Sequence, residues 1–152
     1  MLLETIEIEN TMEEEMPSLN HSYLTKKLTI LIDNMEKWEA WPELSLDLNG
    51  FQGYPDISVY PKGELKPNFF KDTISCKKPP FLAIEITSPT QGLQKLMEKA
   101  ELLVLAGIKS VWIVEPFTKS ILVVGKEGIQ RYQETIVTVK DISIDFAEVL
   151  KD

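Results

Sequence analysis

The sequence predicts an α/β (α+β) fold, a mixed central β-sheet flanked by helices. Three observations carry that prediction. Phe81–Thr87 is an almost wholly apolar, β-prone run, which suits a strand covered on both faces. An apolar helical stripe follows at Leu93, Leu96, Met97, Ala100, Leu103 and Val104, with Gly107 as its stop. A second buried strand, Val111–Val114, comes next and ends at Glu115–Pro116. Strand, helix and strand in that order predict a right-handed parallel crossover.

The remaining elements are read in chain order. Residues 1–15 form an acidic lead with a short strand at Leu3–Ile8, and residues 16–152 form one domain. Pro17, Ser18 and Asn20 suit a helix entry. Leu24, Leu28, Leu31, Met35 and Trp38 then recur on one helical face, and His21 extends the stripe by a turn. Trp41–Pro42 should end that helix. Leu44, Leu46 and Leu48 alternate with polar residues ahead of an Asn49–Gly50 turn, and Asp56–Tyr60 is expected to be the second strand of that pair. Residues 61–80, with five prolines and glycines, read as a long loop. The helix before Gly107 is expected to run from Thr90 to Ala106. Ser120–Val124 and Gln130–Gln133 read as a peripheral hairpin, and Asp145–Leu150 as a closing helix.

Composition removes several functions. One cysteine, Cys76, rules out an internal disulfide and a CxxC metal site, and one histidine rules out a multi-histidine zinc cluster. The longest apolar run, Leu102–Ile108, is far short of the ~18–20 residues that span a bilayer. With no basic-then-apolar leader, a cytoplasmic protein is expected. No nucleotide-binding glycine loop is present. Net charge is −8, yet residues 1–20 hold six glutamates and no Lys or Arg, so the other 132 residues carry only −2. The 61–80 loop is locally basic, with Lys62, Lys66, Lys71, Lys77 and Lys78 against Glu64 and Asp72. Such a strip can contact a phosphate backbone, and it can equally be a solvated surface.

Strand parity isolates the candidate chemistry. Glu85 interrupts the apolar run and shares a face with Phe81, Ala83 and Thr87, opposite Leu82, Ile84 and Ile86. A buried carboxylate is costly unless paired or bound to a cation. Asp56, directly after Pro55, can meet Glu85 if their strands pair. Two close carboxylates then share a proton or hold a hard cation, Mg²⁺ or Mn²⁺. The same spacing also allows Asp56 to cap a turn while Glu85 pairs with a lysine. Lys95 and Lys99 stand one turn apart beside the apolar helix face. Either could serve a metal-activated water, or both could pair with Glu98 and Glu101 at the surface.

The ordered set Pro55-Asp56, Phe-Leu-Ala-Ile-Glu85-Ile-Thr-Ser88-Pro89, Lys99, Ala-Gly-Ile and Val-Trp-Ile-Val-Glu-Pro resembles the Uma-type endonuclease family. These are small bacterial proteins, abundant in cyanobacteria, within the restriction-endonuclease-like superfamily and its PD-(D/E)XK signature. The resemblance spans Ser18–Pro116, with a tail match at Ile142–Leu150. It includes the ten-residue step from Pro89 to Lys99 and the eight-residue step from Lys99 to Gly107. It implies a metal-dependent hydrolase of DNA phosphodiesters. Asp56 and Glu85 would be the metal ligands, for Mg²⁺ or Mn²⁺. Thr87 stands where the signature has lysine, so Lys99 on the next helix takes that part. His21 matches a histidine at the start of the first helix, and it also reads as a helix-terminal residue with no catalytic part. Lys95 stands where an acidic residue is expected, and Leu103 where tyrosine is common. DNA is the implied partner, with Lys95 and the loop lysines as backbone contacts. The alternatives are a catalytically inactive nuclease-fold protein that binds DNA or protein, and an interaction module whose apolar edge makes a homodimer.

Overall fold

The computed structural model describes residues 17–152. The acidic lead and its expected strand at Leu3–Ile8 lie outside the described residues. A six-stranded mixed sheet organises the rest, with strand order β1-β4-β5-β6-β7-β8. Its strands are β1 (Trp38–Pro42), β4 (Ile57–Pro61), β5 (Leu82–Ile86), β6 (Ser110–Glu115), β7 (Ser120–Gly125) and β8 (Gly128–Gln133). Only β5 and β6 run parallel, joined by helix α2 (Leu93–Leu105) as the strand-helix-strand pattern predicts. The other neighbours are antiparallel.

Each sheet face has its own core. On one side pack helix α1 (Leu19–Asp33), the hairpin β9 (Ile136–Val139) with β10 (Ile142–Asp145), and the short helix α3 (Phe146–Val149). Leu24, Leu28 and Ile32 of α1 meet Ile57, Val59, Leu82, Ile84 and Ile86 there, with Trp112 and Phe146 edge to face. On the other side, α2 and the hairpin β2 (Leu46–Leu48) with β3 (Phe51–Gly53) enclose Ala83, Leu96, Ala100, Leu103, Val111 and Ile113. All five β5 residues are therefore buried, as expected for a strand covered on both faces. No helix among the described residues is long and apolar enough to cross a membrane.

Three sequence expectations need correction. Helix α1 stops at Asp33 rather than at Trp41–Pro42. Trp38 and Ala40 instead face the core from edge strand β1, and the Asp33 carboxylate accepts the Ala40 N–H at 2.7 Å, fastening the helix end to the strand. Pro42 is tolerated because β1 is an edge strand. Leu46–Leu48 does not pair with the 56–60 strand: it turns at Asn49–Gly50 onto Phe51–Gly53, while β4 joins the main sheet between β1 and β5. Helix α2 begins at Leu93, three residues later than expected, with Gly92 as its N-cap. The expected hairpin at Ser120–Val124 and Gln130–Gln133 is present as β7 and β8 at the sheet edge, whereas the β9–β10 hairpin is an element the sequence reading lacked. The closing helix starts where expected, with the Asp145 side chain capping Ala147 N–H.

Candidate active site

The register of β4 on β5 builds the centre of the site. Ile57 lies opposite Ile84, so Asp56, one residue ahead, falls beside Glu85. The two then interlock through backbone hydrogen bonds. The Asp56 N–H donates to Glu85 Oε1 at 3.0 Å, and the Ile86 N–H donates to Asp56 Oδ2 at 2.7 Å. Each carboxylate is thus oriented by the other strand.

Two cations close on this pair from different elements. Helix α2 buries Leu96 and Ala100 against the sheet, which turns Lys99 toward Glu85. Lys99 Nζ reaches Glu85 Oε2 at 3.1 Å and the Tyr54 carbonyl at 2.8 Å, with the Tyr54 ring 5.8 Å away. Ser18 caps helix α1, its hydroxyl accepting the His21 N–H at 3.1 Å and so fixing the first turn. From there His21 Nε2 meets Asp56 Oδ2 at 3.0 Å. Asp56, Glu85, Lys99 and His21 therefore form one continuous cluster, although 78 positions separate the first from the last in the chain.

Burial sets the electrostatics. The Glu85 side chain is 1% exposed, and loss of water pushes its carboxyl up to about 7, against the pull of Lys99. The hydrogen bond to Asp56 raises His21 above its ordinary value, so its charged form is favoured.

The donor set fits a hydrated hard cation. Among the described residues nothing donates to Asp56 Oδ1, and each Glu85 oxygen keeps a second lone pair. Mg²⁺ commonly takes one or two carboxylates and completes its shell with water. No group of three or more His, Cys, Asp or Glu disposed around a metal exists among the described residues, which excludes a structural zinc-type cage there.

A cavity of about 400 Å³ opens over the cluster, lined by His21, Asp56, Glu85 and Lys99 together with Glu43, Tyr54, Ser88 and Gln91. The last four were not singled out from the sequence as site residues. Tyr54 acts through its carbonyl, which no side-chain motif reveals. Glu43 sits at a left-handed backbone position (φ 52°), held by its N–H on the Asp56 carbonyl at 3.0 Å. Lys95 is exposed one turn before Lys99 on α2, outside the cavity lining. Lys62, Lys66, Lys71, Lys77 and Lys78 do not line it either. Strand β4 leads away from Asp56, so Lys62 begins beyond its far end, about 20 Å off. There its ammonium bonds the Met35 carbonyl, and the Tyr60 hydroxyl donates to the Lys78 carbonyl at 2.7 Å.

With this geometry in view, comparison with known proteins adds three findings. The family model named Uma2, described as "Putative restriction endonuclease", matches residues 4–151. Among solved structures, the chain is similar to a "putative nuclease belonging to DUF820" from Anabaena variabilis ATCC 29413. The TM-score is 0.78 at 18% identity, over 90% of this chain and 83% of that one, a likeness of fold. No curated protein gives a significant match.

Proposed function

Since the chain belongs to the Uma2 family, described as "Putative restriction endonuclease", we propose that it is a metal-dependent endonuclease that hydrolyses DNA phosphodiester bonds at the His21–Asp56–Glu85–Lys99 cluster. One observation carries the reading above the others. Lys99 crosses from α2 to the buried Glu85 carboxylate, beside an Asp56 that the neighbouring strand holds in register. A buried ion pair costs more to assemble than an apolar contact of the same volume. Its presence at the floor of an open cavity favours chemistry over stability as its reason.

Asp56 Oδ1 and the Glu85 carboxylate would hold Mg²⁺ or Mn²⁺, which would supply Lewis acidity and a more acidic water at neutral pH. The protein's own groups then have distinct parts. Lys99 holds one proton on Glu85 Oε2 and one on the Tyr54 carbonyl, leaving a third for the cavity. That proton can orient an attacking water and offset charge on the phosphoryl oxygens. His21 keeps a proton at Nε2 on Asp56 and fixes that carboxylate's direction. Hydrolysis adds water across one P–O bond, leaving a phosphomonoester on one fragment and a hydroxyl on the other.

The test is plasmid DNA with the purified chain in Mg²⁺ or Mn²⁺, with and without chelator. Cleavage is expected only with the ion, and Asp56→Ala and Glu85→Ala should each lower it by at least about 100-fold. Cleavage that survives both substitutions refutes this site. Salt-sensitive DNA binding without cleavage by the wild type would point to the binding module instead.

A further inference from the structure

A second cavity, about 390 Å³, adjoins the first, and Ser88 and Gln91 line both. It lies where the parallel strands β5 and β6 end, between Thr87–Ser88–Pro89 and Glu115–Pro116–Phe117, with Asn20 and Leu93 on its sides. The crevice beyond the carboxyl ends of parallel strands is a recurrent ligand position, and this volume is in the range of small-ligand cavities.

Three features define what it would take. Phe117 sits at the tip of the tight β6–β7 turn, closed by the Lys119 N–H on the Pro116 carbonyl at 3.2 Å, and its ring is 95% exposed. A short turn thus presents an aromatic ring that the described residues do not cover. Ser88 is only 7% exposed, yet its Oγ finds no hydrogen-bond partner among the described residues, an arrangement native proteins rarely leave without a use. The amides of Asn20 and Gln91 and the carboxylate of Glu115 supply donors and acceptors around the rim. Among the described residues no lysine or arginine lines this cavity, so a phosphate is poorly served there. A flat apolar face with a polar edge is what a nucleobase offers in return.

Resting on the nuclease reading, we propose that this cavity seats the base of the nucleotide next to the scissile phosphate, stacked on Phe117. The shared Ser88–Gln91 wall sets the step from one cavity to the other. A base that stacks on Phe117 must leave its neighbours in the duplex, so single strands and duplexes with an unpaired base are the favoured substrates.

The experiment uses the full chain with Ca²⁺ in place of Mg²⁺ and a single-stranded oligonucleotide carrying 2-aminopurine. The wild type should bind it and quench its fluorescence. Phe117→Ala should abolish the quench and weaken binding about five- to a hundred-fold, and Phe117→Trp should restore both. Because the described residues leave Phe117 95% exposed, the thermal melting of both variants should match the wild type. A Phe117→Ala protein that binds and quenches like the wild type overturns the proposal. A wild type that cleaves duplex plasmid but neither binds nor quenches this probe overturns it and leaves the nuclease reading standing. A wild type that neither binds nor cleaves any DNA removes both.

Discussion

Replacing Glu85 by Gln should stabilise the fold at alkaline pH while destroying cleavage. The carboxyl is 1% exposed, and burial lifts it from the ordinary 4.5 to about 7 even with Lys99 beside it. At about 1.4 kcal/mol per pKa unit, its ionisation costs the folded state about 3 kcal/mol at pH 8. The sign follows from proton uptake. Between pH 4.5 and 7 the folded chain holds the extra proton, so stability falls as pH rises through that window, and below 4.5 the cost is absent. Glutamine keeps an acceptor for the Asp56 N–H but forfeits the charge-assisted bond to Lys99, so a net gain of about 1–3 kcal/mol at pH 8 is expected. For a chain of this size that is a rise of several degrees in Tm. Urea unfolding of both proteins in chelator, at pH 8 and pH 4.5, measures it. A gain at pH 8 that shrinks toward zero at pH 4.5 is the expected result. A variant less stable at pH 8, or a difference indifferent to pH, refutes the reasoning that burial sets the charge cost of this carboxylate.

Other consequences follow from the same geometry. Because His21 is raised by its bond to Asp56, the pair stabilises fully below pH 6.5 and less as pH rises through the higher folded value. His21→Gln should therefore lower Tm more at pH 5.5 than at pH 9; an equal loss at both would contradict it. Lys99→Met should lower plasmid cleavage by at least about 100-fold with the fold retained, as read by product formation and circular dichroism together. Activity within a few-fold of wild type would remove Lys99 from the mechanism. Ser18→Ala deletes the α1 N-cap at the root of His21 and should cost about 1 kcal/mol in urea unfolding. No measurable cost would mean that the cap contributes nothing to α1.

Much of the site was legible because strand parity is a hard constraint. Glu85 is the one acidic residue in a run that otherwise alternates between two apolar cores, so its parity with Ala83 followed from residues 81–87, whereas Phe81, expected on that same face, packs with Leu82, Ile84 and Ile86 because the strand begins only at Leu82. The helix pattern put both Lys95 and Lys99 beside the buried Leu96–Ala100 stripe, and only the family resemblance singled out Lys99. The α1 boundary was not, because Met35 and Trp38 satisfy the helical period while Trp38 and Ala40 also satisfy the strand period. Pairing to β4 decides between them, and that is a tertiary contact. The Asn49–Gly50 turn was legible, but its partner strand was not, since turn residues specify a reversal and not which edge is chosen afterwards. Tyr54 and Glu43 escaped notice because a backbone carbonyl and a left-handed φ leave no signature in side-chain spacing.

Soaking crystals of the chain in Mn²⁺ and locating the ion by its anomalous signal is the most direct measurement. The account predicts a peak bridging Asp56 and Glu85 within hydrogen-bonding reach of a water on Lys99, absent in Asp56→Ala crystals. A peak elsewhere, or none between those carboxylates under conditions where the protein cleaves DNA, contradicts it.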